Sequence, residues 1–148
     1  MIDPATLRAY RETEYRVEAP YPLVLRIGLA DPDLLALYRA AGVDCAALVT
    51  ACNPRSRRLP QAQNARREAA LRAGLLRDGW RFLPASGAHP AGGWPAEPGV
   101  FVPGLGRDAA CALGRAWAQA AIVWCGADAV PQLVLLDGPD AAGPGGAE

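Results

Sequence analysis

Between Thr50 and Arg67 the chain places neutral hydrogen-bonding side chains among guanidinium groups: Thr50-Ala51-Cys52-Asn53-Pro54-Arg55-Ser56-Arg57-Arg58, then Asn64, Arg66 and Arg67. Five arginines (55, 57, 58, 66 and 67) fall in this stretch with no acid among them. Planar guanidinium forks beside hydroxyl and amide groups suit a phosphate or a carboxylate. Asn64 and Arg67 stand three apart and so share one face of a helix. The expected site is an arginine-lined anion site for a phosphate- or nucleotide-like small molecule, built by Thr50, Asn53, Ser56, Arg57, Asn64 and Arg67. Asn53, Ser56, Asn64 and Arg67 should converge in one pocket, with at least one guanidinium directed into it. The plainer alternative is that Asn-Pro and Ser make a turn and the arginines solvate a helix.

Other residues offer chemistry with weaker support. Cys52 follows an apolar run and lies among arginines, a setting that lowers a thiol's pKa, but the single imidazole, His89, is far away in sequence. Trp94 and Glu97 fall in a Gly/Pro-rich stretch, either as a lid over a ligand or as an anchor for their loop. Gln119 interrupts an apolar segment, where a buried amide serves backbone groups or a ligand. A general acid or base, if there is one, must be Glu97, His89 or a tyrosine. Cysteines at 45, 52, 111 and 125 form no C-x-x-C pair, so no metal is expected and no cofactor is implied. All fifteen basic residues are arginine. With no lysine, Schiff-base chemistry and the lysine-dependent phosphate loop are excluded.

These residues need elements to position them. Thr13 to Val17 and Leu23 to Ile27 read as strands joined across Ala19-Pro20-Tyr21-Pro22. Asp31-Pro32-Asp33 supplies an N-cap and an N1 proline for a helix with Leu34, Leu35, Tyr38 and Ala41 on one face and Gly42 as its stop. Cys45 to Thr50 is a continuous apolar run, as for a strand covered on both faces. A helix from about Pro60 to Asp78 follows, with Leu71 and Leu75 inward and Gly79 ending it. Trp80 to Pro84 and Val100 to Val102 read as short strands separated by a long loop, Ala85 to Gly99. Asp108 to Trp117 is helical with Ala109, Ala110, Leu113 and Trp117 on one face, and Ala121 to Cys125 and Gln132 to Leu136 are strands. Trp117 and Trp124 read as core. The predicted fold is α/β, an α+β sandwich with a mixed sheet of five to seven strands, an N-terminal hairpin and three main helices. Residues 1–137 form one domain, and the Gly/Ala/Pro tail 138–148 is expected to be disordered.

Tyr10-Arg11-x-Thr13-x-Tyr15, Leu25-Arg26-Ile27-Gly28, Thr50-Ala51-Cys52-Asn53-Pro54-x-Ser56, Asn64, Gly79, Trp94 with Glu97, and Leu113-Gly114-Arg115-x-x-x-Gln119-x-Ala121-Ile122-Val123-Trp124 together resemble a bacterial family, the domain of unknown function family 3293. The resemblance spans about residues 8 to 136. It implies no activity and carries over no catalytic residue. The chain departs from it at Cys52, where an aromatic is usual, and at Gly99, where a serine is usual.

Fifteen basic and fifteen acidic side chains leave no global field to hold nucleic acid or an anionic membrane. No run of 18 apolar residues and no positive leader is visible, so the expected address is the cytoplasm. Two readings from different classes follow: a small-ligand-binding domain with a site at Thr50, Asn53, Ser56, Arg57, Asn64, Arg67, Trp94, Glu97 and Gln119, or a non-enzymatic module docking an acidic protein surface through the Arg55–Arg67 face.

Overall fold

The computed structural model describes residues 2–18, 22–93 and 95–136. Part of the hairpin turn (Ala19, Pro20 and Tyr21), Trp94 and the tail 138–148 lie outside the described residues. Along the chain come α1 (Pro4–Glu12), β1 (Glu14–Val17), β2 (Leu23–Leu25), α2 (Pro32–Ala41), β3 (Ala46–Val49), α3 (Gln61–Arg77), β4 (Leu83–Ala88), β5 (Glu97–Pro103), α4 (Arg107–Ala116), β6 (Ala121–Cys125) and β7 (Pro131–Leu135). A single 3₁₀ turn, Pro54–Ser56, follows β3. No helix among the described residues is long and apolar enough to cross a membrane.

Local chemistry accounts for the helix ends. Asp31 accepts from the Asp33 and Leu34 amides at 2.8 and 3.3 Å, Pro32 opens α2, and Gly42 closes it in the left-handed region at φ 69°. The same Asp-Pro pairing at Asp3-Pro4 opens α1, which the sequence reading did not predict. There Asp3 accepts from the Thr6 amide and the Thr6 hydroxyl at 2.9 and 3.0 Å. Leu34 and Tyr38 face inward as expected, but Leu37 takes the third inward position and Ala41 is exposed, as is Ala109 on α4.

The seven strands form one sheet in the order β2-β1-β4-β5-β3-β6-β7, and every pairing is antiparallel. The α+β architecture and the N-terminal hairpin are as predicted. The mixed sheet is not, because strand-helix-strand alternation fixes neither which strand becomes the neighbour nor its direction. Here α2 and α3 link strands that are not adjacent, β2 to β3 and β3 to β4. β3 lies between β5 and β6 and is buried along its whole length, as its apolar run requires.

Strand alternation divides the core between two faces. On one, Tyr15, Val17, Leu48, Phe101 and Val123 pack with Leu34, Leu37 and Tyr38 of α2. On the other, Val49, Val100, Val102 and Ile122 pack with Leu71 and Leu75 of α3 and with Ala110 and Cys111 of α4. Trp117 and Trp124 are half-buried at the rim of this second cluster rather than inside it, and Trp124 Nε1 donates to the Leu105 carbonyl at 3.1 Å.

The predicted loop Ala85–Gly99 is largely strand. β4 and β5 run through Pro84, Gly87, Pro98 and Gly99, pairing Gly87 with Glu97 and Ser86 with Pro98. Proline in an interior strand is tolerated only where the missing N–H has no partner. That holds for Pro98, since β3 pairs with β5 only from Val100 onward, while Pro84 stands just beyond the last β1–β4 pair and accepts from the Glu18 amide at 2.9 Å without donating in return.

Candidate functional site

β3 leaves the sheet at Thr50, whose hydroxyl donates to the Pro98 carbonyl at 2.7 Å and accepts from the Cys52 amide at 3.0 Å. Asn53 then turns into the left-handed region at φ 49° and is 7% exposed. Its Oδ1 accepts from the Leu59 amide and from Asn64 Nδ2, both at 2.8 Å, and its Nδ2 donates to Glu97 Oε2 at 2.6 Å. Asn64 Oδ1 accepts from the Asn53 amide at 2.9 Å. Because an oxygen of each side chain faces a backbone N–H, both amide orientations are fixed. The structure thus brings Asn53, Asn64 and Glu97 into one network that ties the loop after β3 to the first turns of α3 and to the start of β5.

The loop carries strain. Asn53, Arg55 and Ser56 all have positive φ (49°, 55° and 62°), and so does Ala118 at 57°. The Arg55 amide donates to the Ala118 carbonyl at 2.7 Å, which joins the two strained segments. Left-handed non-glycine residues cost about 1 kcal/mol or more each and gather where the surroundings enforce them, often at functional sites.

A cavity of about 230 Å³ opens beside this loop. Leu48, Ala121, Val123 and Leu133 form its apolar floor, on the sheet face that also packs against α2. Thr6, Ala9, Tyr10 and Thr13, at successive helical spacings, form a wall from α1 and its C-cap. Thr50, Ser56, Glu97, Gln119 and His89 contribute the polar edge. The Tyr10 hydroxyl is hydrogen-bonded to the Ser56 hydroxyl, and the Tyr15 hydroxyl donates to the Tyr10 carbonyl at 2.8 Å. Burial, followed by the nearby Glu97 charge, raises the Tyr10 phenol above its ordinary value, so it serves as a neutral hydrogen-bonding group. His89 Nδ1 accepts from the Ala91 amide at 3.1 Å, which leaves Nε2 to donate to Glu12 at 2.9 Å and latches α1 to the opposite wall.

The arginines take other roles than the sequence reading gave them. Arg67 turns inward to the backbone: Nε donates to the Ala51 carbonyl at 2.6 Å, Nη2 to the Trp117 carbonyl at 2.7 Å, and the guanidinium lies 5.4 Å from the Trp117 ring centroid. Arg55, Arg57, Arg58 and Arg66 are exposed. Among the described residues lining the cavity there is no arginine, so the expectation of a guanidinium directed into it is not met. The physical reason is that two carbonyls released at the ends of β3 and α4 capture Arg67 first. Of the nine predicted positions, Thr50, Ser56, Glu97 and Gln119 line the cavity, Asn53 and Asn64 support it from behind, and Arg57 and Arg67 do not enter it. Trp94 is outside the described residues.

Cys52 is buried, its thiol donates to the Pro98 carbonyl at 3.6 Å, and burial raises its pKa, all of which oppose a nucleophilic role. Gln119 Nε2 donates to the Cys52 and Trp117 carbonyls at 3.1 and 3.3 Å. With its nitrogen committed to two carbonyls, its Oε1 is the atom left for the cavity, and it accepts no hydrogen bond among the described residues.

Sequence reasoning passed over Thr6, because the α1 face it occupies is not apolar, and it read Tyr10 and Thr13 as part of a strand whose inward side chains reach the ligand-bearing edge, whereas Tyr10 lies on α1 and Thr13 caps that helix. It also passed over Glu68, which is 5% exposed and accepts from the Ala51 amide at 2.9 Å, with Arg72 at 3.6 Å. Burial pushes the Glu68 carboxyl up from 4.5. The folded protein therefore keeps this proton to higher pH than the unfolded chain does. Its contribution to stability is full below about pH 4.5 and is lost as pH rises through the higher folded value. Glu68→Gln, neutral throughout and still able to accept from Ala51, should remove that decline. In urea unfolding at about pH 4.5 and about pH 7.5, the stability of the variant relative to wild type should rise with pH. A difference that does not change with pH would contradict the assignment.

A family model described as protein of unknown function (DUF3293) matches residues 49–122, half of the chain, from the last residue of β3 into β6. The match takes in Thr50, Asn53, Asn64, Glu97 and Gln119 and leaves out the α1 wall. No curated protein and no solved structure matches the chain.

Proposed function

The chain belongs to this family of unknown function, a membership that brings no activity with it, and we propose from the cavity's geometry that it is a small-molecule-binding domain. One observation carries the reading: an apolar cavity meets, at one edge, polar groups held by a strained and cross-braced loop. Concave, mostly apolar sites with a few fixed polar groups are how proteins bind small ligands. The strained loop sets Ser56 at the rim, where its hydroxyl is hydrogen-bonded to Tyr10. A cytoplasmic address and a bacterial source belong to the same proposal. Four free cysteines fit a reducing compartment, and the arginine-only, Ala/Gly/Pro-rich composition fits a GC-rich genome.

Fragment screening by amide chemical shifts tests the proposal. Binding fragments should move Thr50, Ser56 and Gln119 together. Ala121→Leu, which pushes a larger side chain into the cavity from β6, should weaken binding by about tenfold or more, the equivalent of 1.4 kcal/mol, while the protein stays folded. Shifts confined to the exposed face of Arg55, Arg57 and Arg66 would instead favour a docking module for acidic partners. Unchanged affinity in Ala121→Leu would overturn the cavity as the site.

A further inference from the structure

Resting on that reading, we infer that the cavity takes a small uncharged primary carboxamide, an N–H donor and a carbonyl acceptor carried on an aryl or alkyl body. The size follows from volume: a cavity of about 150 Å³ holds benzene, so about 230 Å³ takes on the order of ten non-hydrogen atoms. The apolar floor of Leu48, Val123 and Leu133 suits the body.

The head group follows from which polar atoms of the lining are already used. The Thr6 hydroxyl donates to Asp3, Thr13 to the Ala9 carbonyl, Tyr15 to the Tyr10 carbonyl and Thr50 to the Pro98 carbonyl. His89 has both ring nitrogens engaged, with Glu12 and the Ala91 amide. Glu97 accepts from Asn53 at 2.6 Å and has a further interaction besides, so the protein itself occupies this carboxylate. No arginine lines the cavity among the described residues. A charged head of either sign would therefore lose water there without meeting an open counter-charge.

An acceptor and a donor stay open among the described residues. Gln119 Nε2 donates to the Cys52 and Trp117 carbonyls at 3.1 and 3.3 Å, which leaves Oε1 as the acceptor. Tyr10 and Ser56 share a single hydrogen bond between their hydroxyls, so whichever oxygen accepts keeps its own O–H to donate. The backbone brings these groups to the same edge: the Arg55 amide donates to the Ala118 carbonyl at 2.7 Å, and Ser56 and Gln119 are the next residues along the two segments. Positive φ at Arg55, Ser56 and Ala118 holds the segments in that approach. A primary amide presents an N–H and a carbonyl on one edge and no charge. Its N–H meets Gln119 Oε1 and its carbonyl meets the hydroxyl pair.

Four probes decide the matter, each titrated into the isotope-labelled full chain near neutral pH. They are 2-phenylacetamide, phenylacetone with a methyl group in place of the amide nitrogen, phenylacetate with a negative oxygen there, and the cation phenethylammonium. The amide is expected to bind about tenfold tighter than the ketone or more, since a site that hydrogen-bonds an N–H rejects the analogue lacking it. Both ions are expected to fall below the amide by at least about the same factor. Gln119→Met, which keeps the length of the side chain and removes its oxygen, should bring the amide down to the level of the ketone and leave the ketone nearly unchanged. Gln119 also braces two backbone carbonyls, so if that variant does not fold the wild-type order decides alone. The ketone or either ion binding as tightly as the amide overturns the carboxamide assignment and leaves the cavity as a binding site. Failure of all four to shift Thr50 and Gln119 overturns both.

Discussion

Asn53→Asp is expected to lower the unfolding free energy by about 4 kcal/mol, the range for breaking a buried, charge-linked hydrogen-bond network. The substitution keeps shape and the acceptor oxygen that serves the Leu59 amide and Asn64 Nδ2. It replaces the donor to Glu97 with a second carboxylate at what is now a 2.6 Å contact, in a residue only 7% exposed. Two carboxylates cannot both stay ionised there without a large penalty. Asn53→Ala loses all three side-chain hydrogen bonds but introduces no charge, and also sets alanine at φ 49°, so about 3 kcal/mol is the corresponding figure. Urea denaturation of both variants near pH 7 gives the comparison. An aspartate variant less damaged than the alanine variant would show that the Asn53–Glu97 contact does not persist in solution.

The elements legible in the sequence are those whose signals are local. The Asp31-Pro32 cap, the Gly42 stop, the unbroken apolar run of β3 and the strand at Ala121–Cys125 all appear where residue chemistry placed them. What was hidden depends on partners far along the chain. The Asp-Pro pair that revealed α2 also stands before α1, but Thr6, Ala9, Tyr10 and Thr13 look at a cavity rather than a core, so apolar periodicity is absent there. The prolines and glycines of β4 and β5 imitate a loop because a single strand does not disclose where its second neighbour ends. Asn53 and Asn64 meet because a strand end meets a helix start, and Glu97 joins them through its pairing with Gly87 on β4, but of the four residues expected to converge in the pocket only Ser56 lines the cavity. The charge of the site was misjudged for a reason of the same kind. Counting arginines in a segment says nothing about carbonyls from Ala51 and Trp117, the second of which lies fifty residues away.

Arg67→Ala is the sharpest measure of that difference and should lower stability by about 3 kcal/mol, from two lost charge-assisted hydrogen bonds and one ring contact. An arginine kept to meet an external anion is dispensable to the empty protein, and its removal should barely move the apo transition. Arg67 instead bridges the carbonyl at the end of β3 to the one at the end of α4, so its loss leaves both acceptors without their partner. Arg67→Lys separates charge from geometry. An ammonium keeps the charge but is a single point of donation and cannot reach two carbonyls through separate nitrogens while lying against Trp117. Lysine should therefore recover less than half of the loss. Thermal and urea unfolding of the three proteins without ligand, at equal ionic strength, provide the reading. An Arg67→Ala variant within about half a kcal/mol of wild type would return Arg67 to the surface and reopen the anion site, because a guanidinium that does not brace the protein has no internal reason to be there.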